Sequence, residues 1–154
     1  MSWRKIYVKR KETLPPLSEA VCMYSKDDGY FVATVYTQPD ACGRTMYYYR
    51  PDRYSLPHSK DTALRGKSVW WCALGDSWEW TRMLVMKKAS LPPLDMPVLI
   101  SYQKMGYFFG SVKAEPRRTK GFDYYIHAGR SVFAIKGKYV EWKQAPETPY
   151  GARY

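Results

Sequence analysis

The chain has 154 residues, of which 17% are aromatic, and 15 of the aromatic residues are tyrosines. This composition excludes a disordered chain, because disordered segments lack the apolar and aromatic surface that forms a core, and no apolar run approaches the roughly 20 residues that span a bilayer. The net charge of +11 raises the affinity for polyanions and argues against an acidic mimic of DNA.

The first half of the chain predicts short strands separated by turns. Asp28-Gly29 is a hairpin signal because glycine tolerates a positive φ, and the residues that follow alternate as in a half-buried strand. A short helical turn is predicted over Asp61–Arg65, and Gly75-Asp76 is predicted to join the last two strands. The predicted strands are Trp3–Lys9, Ala20–Tyr24, Tyr30–Thr37, Thr45–Tyr49, Ser68–Ala73 and Ser77–Leu84.

The second half repeats this order of strands. Its final two strands are predicted to form a hairpin that turns at Lys136-Gly137-Lys138. No stretch of ten residues holds a period of 3.6, so long helices are not expected. The predicted strands are Pro97–Tyr102, Gly106–Val112, Phe122–Ile126, Ser131–Ile135 and Tyr139–Lys143.

The order repeats because the sequence itself is duplicated. When Trp3 is aligned with Trp80, the segment from Trp3 to Val35 falls without a gap on the segment from Trp80 to Val112, with 12 identities in 33 positions. Later matches have other offsets and make the first copy longer by thirteen positions, an insertion predicted within Arg50–Lys67. These matches join Tyr48-Tyr49 to Tyr124-Tyr125, Ser68-Val69 to Ser131-Val132, and Glu79-Trp80 to Glu141-Trp142.

Five or so bent strands in about 60 residues are typical of small closed or curled sheets. The sequence therefore predicts an all-β fold of two tandem small SH3-like barrel or curled-meander modules, related by internal duplication. Residues 1–79 are predicted to form the first module, with an extra surface loop at about 50–67. Residues 80–154 are predicted to form the second module, with a Pro-containing C-terminal tail.

Each copy has an opening Trp, a Leu-Pro, a Val-rich strand, a Gly turn and a closing Trp. The ending of the second copy, from Tyr139 through Trp142 to Pro146 and Pro149, resembles the Trp and Pro-x-Pro-Glu-Pro-Pro tail of a family of short phage and prophage domains of unknown function. The resemblance spans nearly all of both copies, although the first copy lacks the Pro-rich tail and carries the insertion. It implies a phage or prophage accessory protein, and the family offers no assigned catalytic residue.

Residue types that carry chemistry are scarce and scattered. His58 and His127 fall at non-equivalent positions without ligand-spaced neighbours, so no metal or cofactor is expected. Glu79 and Glu141 are interpreted as solvent-facing positions at strand exits rather than as a catalytic pair. With no Cys-His set for a nucleophile and no phosphate-binding glycine loop, the sequence predicts a protein that is not an enzyme.

The three cysteines indicate a reducing compartment, because their number is odd and none forms a Cys-x-x-Cys pair. Cys22 and Cys72 are expected in the core, and Cys42 in an exposed loop. No apolar segment follows the N-terminal charges, so a signal peptide is not expected. These points predict a cytoplasmic protein, in the host cell if it is phage-encoded.

The candidate binding residues are tyrosines bordered by cations, with basic clusters at matching places near the start of each copy. Outward-facing tyrosines flanked by Lys and Arg suit stacked bases along a charged backbone, although the same tyrosines also fit the edge of a core. The candidates are Lys9, Arg10, Lys11, Arg44, Tyr48, Arg50, Arg53, Lys87, Lys88, Lys113, Arg117, Arg118, Lys120, Tyr124 and Arg130.

The leading hypothesis is a non-enzymatic accessory protein, of a host-takeover or anti-defence kind, that binds nucleic acid through these residues. Aromatics and Arg also form protein-binding hot spots. An inhibitor of a host defence or transcription complex therefore stays open, with the 50–67 insertion and the 113–121 loop as its contacts. A third alternative is a protein that sequesters an anionic nucleotide between the copies.

Overall fold

The chain divides into two units in a computed structural model that describes residues 3–57, 60–75 and 79–149. The first unit contains the described residues up to Gly75 together with residues 146–149, and the second contains residues 79–145. This differs from the predicted division after residue 79, which placed the tail with the second module. The tail belongs to the first unit because the carbonyls of Pro146 and Glu147 accept hydrogen bonds from Tyr30 and Trp3.

Each unit is a six-stranded antiparallel sheet, so the predicted all-β fold of two modules is confirmed. In the first unit the strand order is β1-β6-β2-β3-β4-β5, and in the second it is β7-β12-β8-β9-β10-β11. The strands of the first unit are β1 (Arg4–Lys5), β2 (Ala20–Ser25), β3 (Gly29–Pro39), β4 (Thr45–Pro51), β5 (Thr62–Ala63) and β6 (Val69–Cys72). Those of the second are β7 (Thr81–Arg82), β8 (Val98–Tyr102), β9 (Gly106–Pro116), β10 (Phe122–Ala128), β11 (Ser131–Ala134) and β12 (Val140–Gln144).

The two sheets have the same topology strand for strand, as an internal duplication requires. Adding six to each strand number of the first order gives the second order. Cross-strand registers also agree: Trp71 lies opposite Met23 in the first sheet, and Trp142 lies opposite Ile100 in the second. The numbering offset between equivalent positions of the two copies is therefore 77 in the first four strands and 71 in the last two.

These registers correct the predicted matches in the later part of each copy. Tyr47-Tyr48 corresponds to Tyr124-Tyr125, because Val35 lies opposite Tyr49 just as its equivalent Val112 lies opposite Ile126. The first copy is longer by six positions rather than thirteen, since the numbering offset falls from 77 to 71 between β4 and β5. The residue that matches Trp142 is Trp71, not Trp80.

Two other local predictions are wrong for a related reason. The segment Asp61–Arg65, which was predicted to form a helical turn, instead contains strand β5. The residues of this strand pair with Tyr48 and Tyr49. The final strands of each copy do not form hairpins, because β6 lies between β1 and β2 and β12 lies between β7 and β8. The turn at Lys136–Lys138 is consequently a crossover between strands that are not neighbours. Asp76 and Ser77 lie outside the described residues.

The long loop that follows the first strand of each unit is fixed by the same side-chain contacts. Thr13 accepts a hydrogen bond from the backbone N–H of Tyr7 at 2.9 Å, and Ser90 accepts one from Leu84 at 2.8 Å. The indole of Trp71 donates to the Thr13 carbonyl at 2.8 Å, and that of Trp142 donates to the Ser90 carbonyl at 2.7 Å. Each closing Trp therefore ties the opening loop of its own copy to the sheet.

The inner face of each sheet carries a core built from equivalent positions. Alternation along the strands places apolar residues on this face at every second position. Full burial of side chains of this size contributes about 1.5–3 kcal/mol each. The equivalent buried pairs are Ile6 and Met83, Phe31 and Phe108, Val35 and Val112, Tyr49 and Ile126, Leu64 and Ile135, and Val69 and Val140.

Gly110 in β9 lies where an added Cβ would be crowded. A Cβ there would be 2.9 Å from the carbonyl oxygen of His127 and 3.0 Å from a methyl of Ile100. Replacing Gly110 with Ala is therefore expected to destabilise the protein by about 1–3 kcal/mol, measured by urea unfolding. Ser111→Ala on the same strand serves as control and should change stability by less than about 0.5 kcal/mol. Equal stability of the two variants would contradict the predicted crowding.

Candidate nucleic-acid interface

Five cations of the first unit come from two distant parts of the chain. Lys5 lies on β1, Arg10 and Lys11 lie in the opening loop, and Arg65 and Lys67 lie in the turn between β5 and β6. Gly66 lets this turn form, because its φ of 76° is one that other residues rarely adopt. A groove of about 290 Å³, lined by residues of the opening loop and by both turn cations, shows that the two segments are neighbours.

The second unit has a Lys or Arg at each of the five equivalent positions. We call each set the basic face of its unit. In the second unit the opening loop and the turn again share a groove, of about 180 Å³, which Val85 and Lys136 line together. The first basic face is Lys5, Arg10, Lys11, Arg65 and Lys67, and the second is Arg82, Lys87, Lys88, Lys136 and Lys138.

Cations at other equivalent positions were not kept in both copies. Outside the loop that carries the insertion, each matches a residue that is neither Lys nor Arg. Examples are Arg4 with Thr81, Lys26 with Gln103, Lys113 with Tyr36, and Arg117 with Asp40. Outside that loop, the two copies have thus diverged in surface charge everywhere except at the basic face. Such selective retention indicates that the charge there does something that the fold alone does not require.

The charges of the basic faces are not neutralised by ion pairs among the described residues. The four ion pairs in this part of the chain use other cations: Arg50, Lys113, Arg117 and Lys143. In the first unit, residues 6–13, which end with the 3₁₀ turn Lys11–Thr13, contain one acidic residue. This residue, Glu12, matches Ala89 in the second unit. Ten uncompensated cations at two faces leave a strong positive potential for polyanions.

Each basic face also carries one exposed tyrosine in contact with its cations. Tyr7 is 47% exposed, with the ammonium of Lys5 5.5 Å and the guanidinium of Arg10 5.9 Å from its ring centre. Tyr139 is 57% exposed, and the guanidinium of Arg82 lies 4.3 Å from its ring centre. The tyrosines occupy non-equivalent positions, yet each face gains a flat aromatic surface bordered by positive charge.

Among the predicted site residues, those of the opening loops belong to this arrangement. Lys9 lines the groove between the opening loop and the turn of the first unit. Arg10 and Lys11 are members of the first basic face, and Lys87 and Lys88 are members of the second. The structure adds six cations that were not among the predicted residues: Lys5, Arg65, Lys67, Arg82, Lys136 and Lys138.

Arg50 and Tyr48 form a different cluster, on the outer face of the first sheet. Arg50 donates to Asp61 at 3.1 Å and lies 5.0 Å from the ring centre of Tyr36, on which Tyr48 stacks at 5.7 Å. The charge of Arg50 is therefore used to hold Asp61, at the end of the insertion loop, against the sheet. Arg50 and Tyr48 are thus part of this anchor, and their predicted place beside a ligand stays a prediction.

Asp61 gives this anchor a pH dependence. Its carboxyl accepts hydrogen bonds from the Tyr36 hydroxyl at 2.6 Å and from Arg50, and both lower its pKa below the usual 3.8. A lowered pKa means that the anchor stabilises the loop fully above pH 3.8 and loses this effect as pH falls through the folded pKa. NMR titration of Asp61 should show a midpoint below 3.8 that rises in Tyr36→Phe and stays unchanged in Tyr48→Phe. An unchanged midpoint in Tyr36→Phe would contradict the anchor.

The remaining predicted cations lie outside the two basic faces, in loops except for Lys113, which is in β9. Lys113 pairs with Asp95 at 4.0 Å, and Arg117 pairs with Asp123 at 2.8 Å, although Arg117 also lines the groove of Lys136. The other five predicted cations are exposed in the β3–β4, β9–β10 and β10–β11 connections and in the insertion. These exposed loop cations are Arg44, Arg53, Arg118, Lys120 and Arg130.

The tyrosine chosen in the second copy was not the equivalent of Tyr48. Tyr124 corresponds to Tyr47, which packs against the core of the first unit, whereas Tyr125 corresponds to Tyr48 on the outer face. Tyr124 instead lines the groove beside Val85 and Lys136, close to the second basic face. The error follows from the one-residue shift in the predicted match.

The other residues with potential chemistry are separated from one another. Cys22 and Cys72 are buried and Cys42 is exposed, as predicted. The Nε2 atom of His127 is buried without a hydrogen-bond partner, and His58 lies outside the described residues. Within residues 3–57, 60–75 and 79–149, no three His, Cys, Asp or Glu side chains are grouped closely enough to hold a metal ion.

Comparison with known protein families and curated sequences assigns no family to the chain. No protein-family model matches the chain, and no curated protein sequence is significantly similar to it. The resemblance to short phage and prophage domains consequently stays a prediction from the motifs. In the described part of the chain, no helix has the length and apolar character needed to cross a membrane.

Proposed function

We propose that this protein binds nucleic acid, as a non-enzymatic accessory protein, through the two basic faces. The observation that carries the proposal is the retention of five cations at equivalent positions in two copies whose other cations differ outside the insertion loop. The resemblance to phage and prophage domains supports a host-takeover or anti-defence setting for this binding.

The mechanism follows from the chemistry of the faces. Lys and Arg side chains neutralise backbone phosphates and release their condensed counterions, which makes binding favourable and strongly dependent on salt. Tyr7 and Tyr139 each offer an exposed ring to a base, and stacking on such a ring contributes about 1–3 kcal/mol per base. Only an unpaired base can stack in this way, so single strands are the preferred ligand.

The pattern of retention favours nucleic acid over a protein partner. The retained residues are cations, and seven of the ten are lysines, a residue type that is depleted in protein interfaces. The apolar neighbours differ between copies: Tyr7 matches Leu84, and Tyr139 matches Ser68. A protein partner would select the shape of these neighbours, whereas a phosphate backbone selects the charge.

Fluorescence anisotropy of a labelled single-stranded 20-mer tests the proposal. Affinity is expected to fall steeply between about 50 and 200 mM salt. For single strands, each neutralised phosphate adds about 0.7 to the downward slope of log affinity against log salt concentration. A duplex of the same length should bind more weakly, since its bases are not free to stack. Absence of binding at low salt, or binding that ignores salt, would remove the proposal.

A further inference from the structure

A second aromatic cluster lies on the face of the first sheet opposite the core. Trp3, Tyr24 and Tyr30 form it, and we call it the aromatic clamp. The ring centres of Tyr24 and Tyr30 are 5.2 Å apart, and the ring of Trp3 lies 6.1 Å from the first and 6.2 Å from the second. Three mutually contacting rings make a continuous apolar surface with polar groups at its edge.

The tail of the chain occupies this clamp through its backbone. The hydroxyl of Tyr30 donates to the carbonyl of Pro146, and the indole N–H of Trp3 donates to the carbonyl of Glu147. The tail has a proline at position 146 and another three residues later, at position 149. In the polyproline II conformation, which has three residues per turn, these two prolines lie on the same side of the helix.

This is the chemistry by which proteins recognise proline-rich segments. Such segments expose backbone carbonyls that have no internal hydrogen bonds, and their binding sites are grooves lined with aromatic residues. The clamp supplies ring faces for the prolines and an indole N–H and a phenol O–H for two successive carbonyls. Burial raises the pKa of Tyr30 to about 12, so its hydroxyl keeps the proton that it donates at neutral pH.

We propose that the aromatic clamp is a binding site for a Pro-x-x-Pro segment of a partner protein, and that residues 146–149 occupy it as a tethered ligand. A tethered ligand acts at an effective concentration in the millimolar range when its linker is short. A partner segment therefore binds only if it displaces the tail or if the tail is weakened. This site is separate from the basic faces and does not depend on nucleic-acid binding.

The second unit provides the comparison. Trp80 and Tyr107, which match Trp3 and Tyr30, have ring centres 5.6 Å apart, but Ser101 replaces Tyr24. The ammonium of Lys143 lies 6.0 Å from the Trp80 ring centre. The three-ring clamp is thus confined to the first unit within the described residues, and Tyr107→Phe is a matched control for Tyr30→Phe.

The test uses the full chain and a synthetic peptide of residues 144–150. The variant carries Pro146→Ala and Pro149→Ala, which weaken the tethered tail, and binding is followed through the indole N–H resonance of Trp3. The peptide is expected to bind this variant at least about ten-fold more tightly than the unaltered chain, because the internal competitor is weaker. Adding Tyr30→Phe should abolish the gain, and adding Tyr107→Phe should leave it.

Three results would overturn the proposal: equal peptide affinity for both chains, equal binding of a peptide whose two prolines are alanines, or equal effects of Tyr30→Phe and Tyr107→Phe. If the double variant does not fold, the unaltered chain replaces it. At millimolar concentration, an isotope-labelled form of the peptide should give nuclear Overhauser contacts to the Trp3 indole N–H and none to that of Trp80. Contacts to both indoles, or to neither, would also overturn the proposal.

Discussion

Neutralising the eight loop and turn cations of the two basic faces together is expected to weaken binding of a single-stranded oligonucleotide by about 100-fold or more at moderate salt. By the proposed mechanism, each replacement of a cation by Gln removes one phosphate contact. No ion pair among the described residues involves these cations. Fluorescence anisotropy measures the change. The eight substituted residues are Arg10, Lys11, Arg65, Lys67, Lys87, Lys88, Lys136 and Lys138.

The matched control removes the same charge from exposed cations outside the faces. It should weaken binding by only about ten-fold or less, through the general field of the protein. Equal losses in the two variants would mean that net charge, rather than the basic faces, carries the binding. The control residues are Lys26, Arg44, Arg53, Lys60, Lys104, Arg118, Lys120 and Arg130, all of them exposed.

Replacing Trp71 with Ala is expected to cost about 3–5 kcal/mol of unfolding free energy, the range for large aromatic residues in a core. Trp71 is 8% exposed, belongs to the core of the first unit, and ties the opening loop to the sheet through its bond to Thr13. Trp71→Phe keeps most of the buried area and should lose about 1 kcal/mol for the missing hydrogen bond. Urea unfolding measures both changes.

Trp80→Ala is the control for this prediction. Trp80 is partly exposed, lies beside Tyr107, and opens the second copy rather than closing the first. Its removal should therefore destabilise the protein less than the removal of Trp71. A larger loss in Trp80→Ala would contradict the equivalence of Trp71 and Trp142.

Features encoded by neighbouring residues were predictable from the sequence. Asp28-Gly29 specifies the hairpin between β2 and β3, because Gly29 adopts a φ of 73° that other residues avoid. The alternation that follows predicted β3, whose inward residues Phe31 and Val35 are buried. Both signals are local and survive without knowledge of the strand pairing.

Features that depend on pairing between distant segments were not predictable in this way. Strand β5 has only two residues, so it has no period to detect, and its pairing with β4 defines it. The position of β6 could have been predicted from a second alignment of the two copies. Ala63–Trp71 aligns without gaps with Ala134–Trp142, and the two segments share Ala, Gly, Lys, Val and Trp. This alignment identifies the closing Trp and pairs the turn cations of the two copies.

In the candidate site, too, groups of adjacent residues were predictable from the sequence, and groups brought together by the fold were not. The cations of the opening loops were found because they are adjacent in sequence, at Arg10-Lys11 and Lys87-Lys88. Arg65 and Lys136 were missed because only the fold brings them beside these loops. Arg50 was selected for its charge, but Asp61, which neutralises it, is eleven residues away across the insertion loop.

The salt dependence of oligonucleotide affinity in single-face variants tests most directly whether the two copies present equivalent binding surfaces. Substituting either the four loop and turn cations of the first face, without Lys5, or the four of the second, without Arg82, should reduce the slope of log affinity against log salt by about 3. Each lost phosphate contact removes about 0.7 from this slope. The double-face variant should lose about twice as much. A slope that falls for one face only, or for neither, would contradict the account.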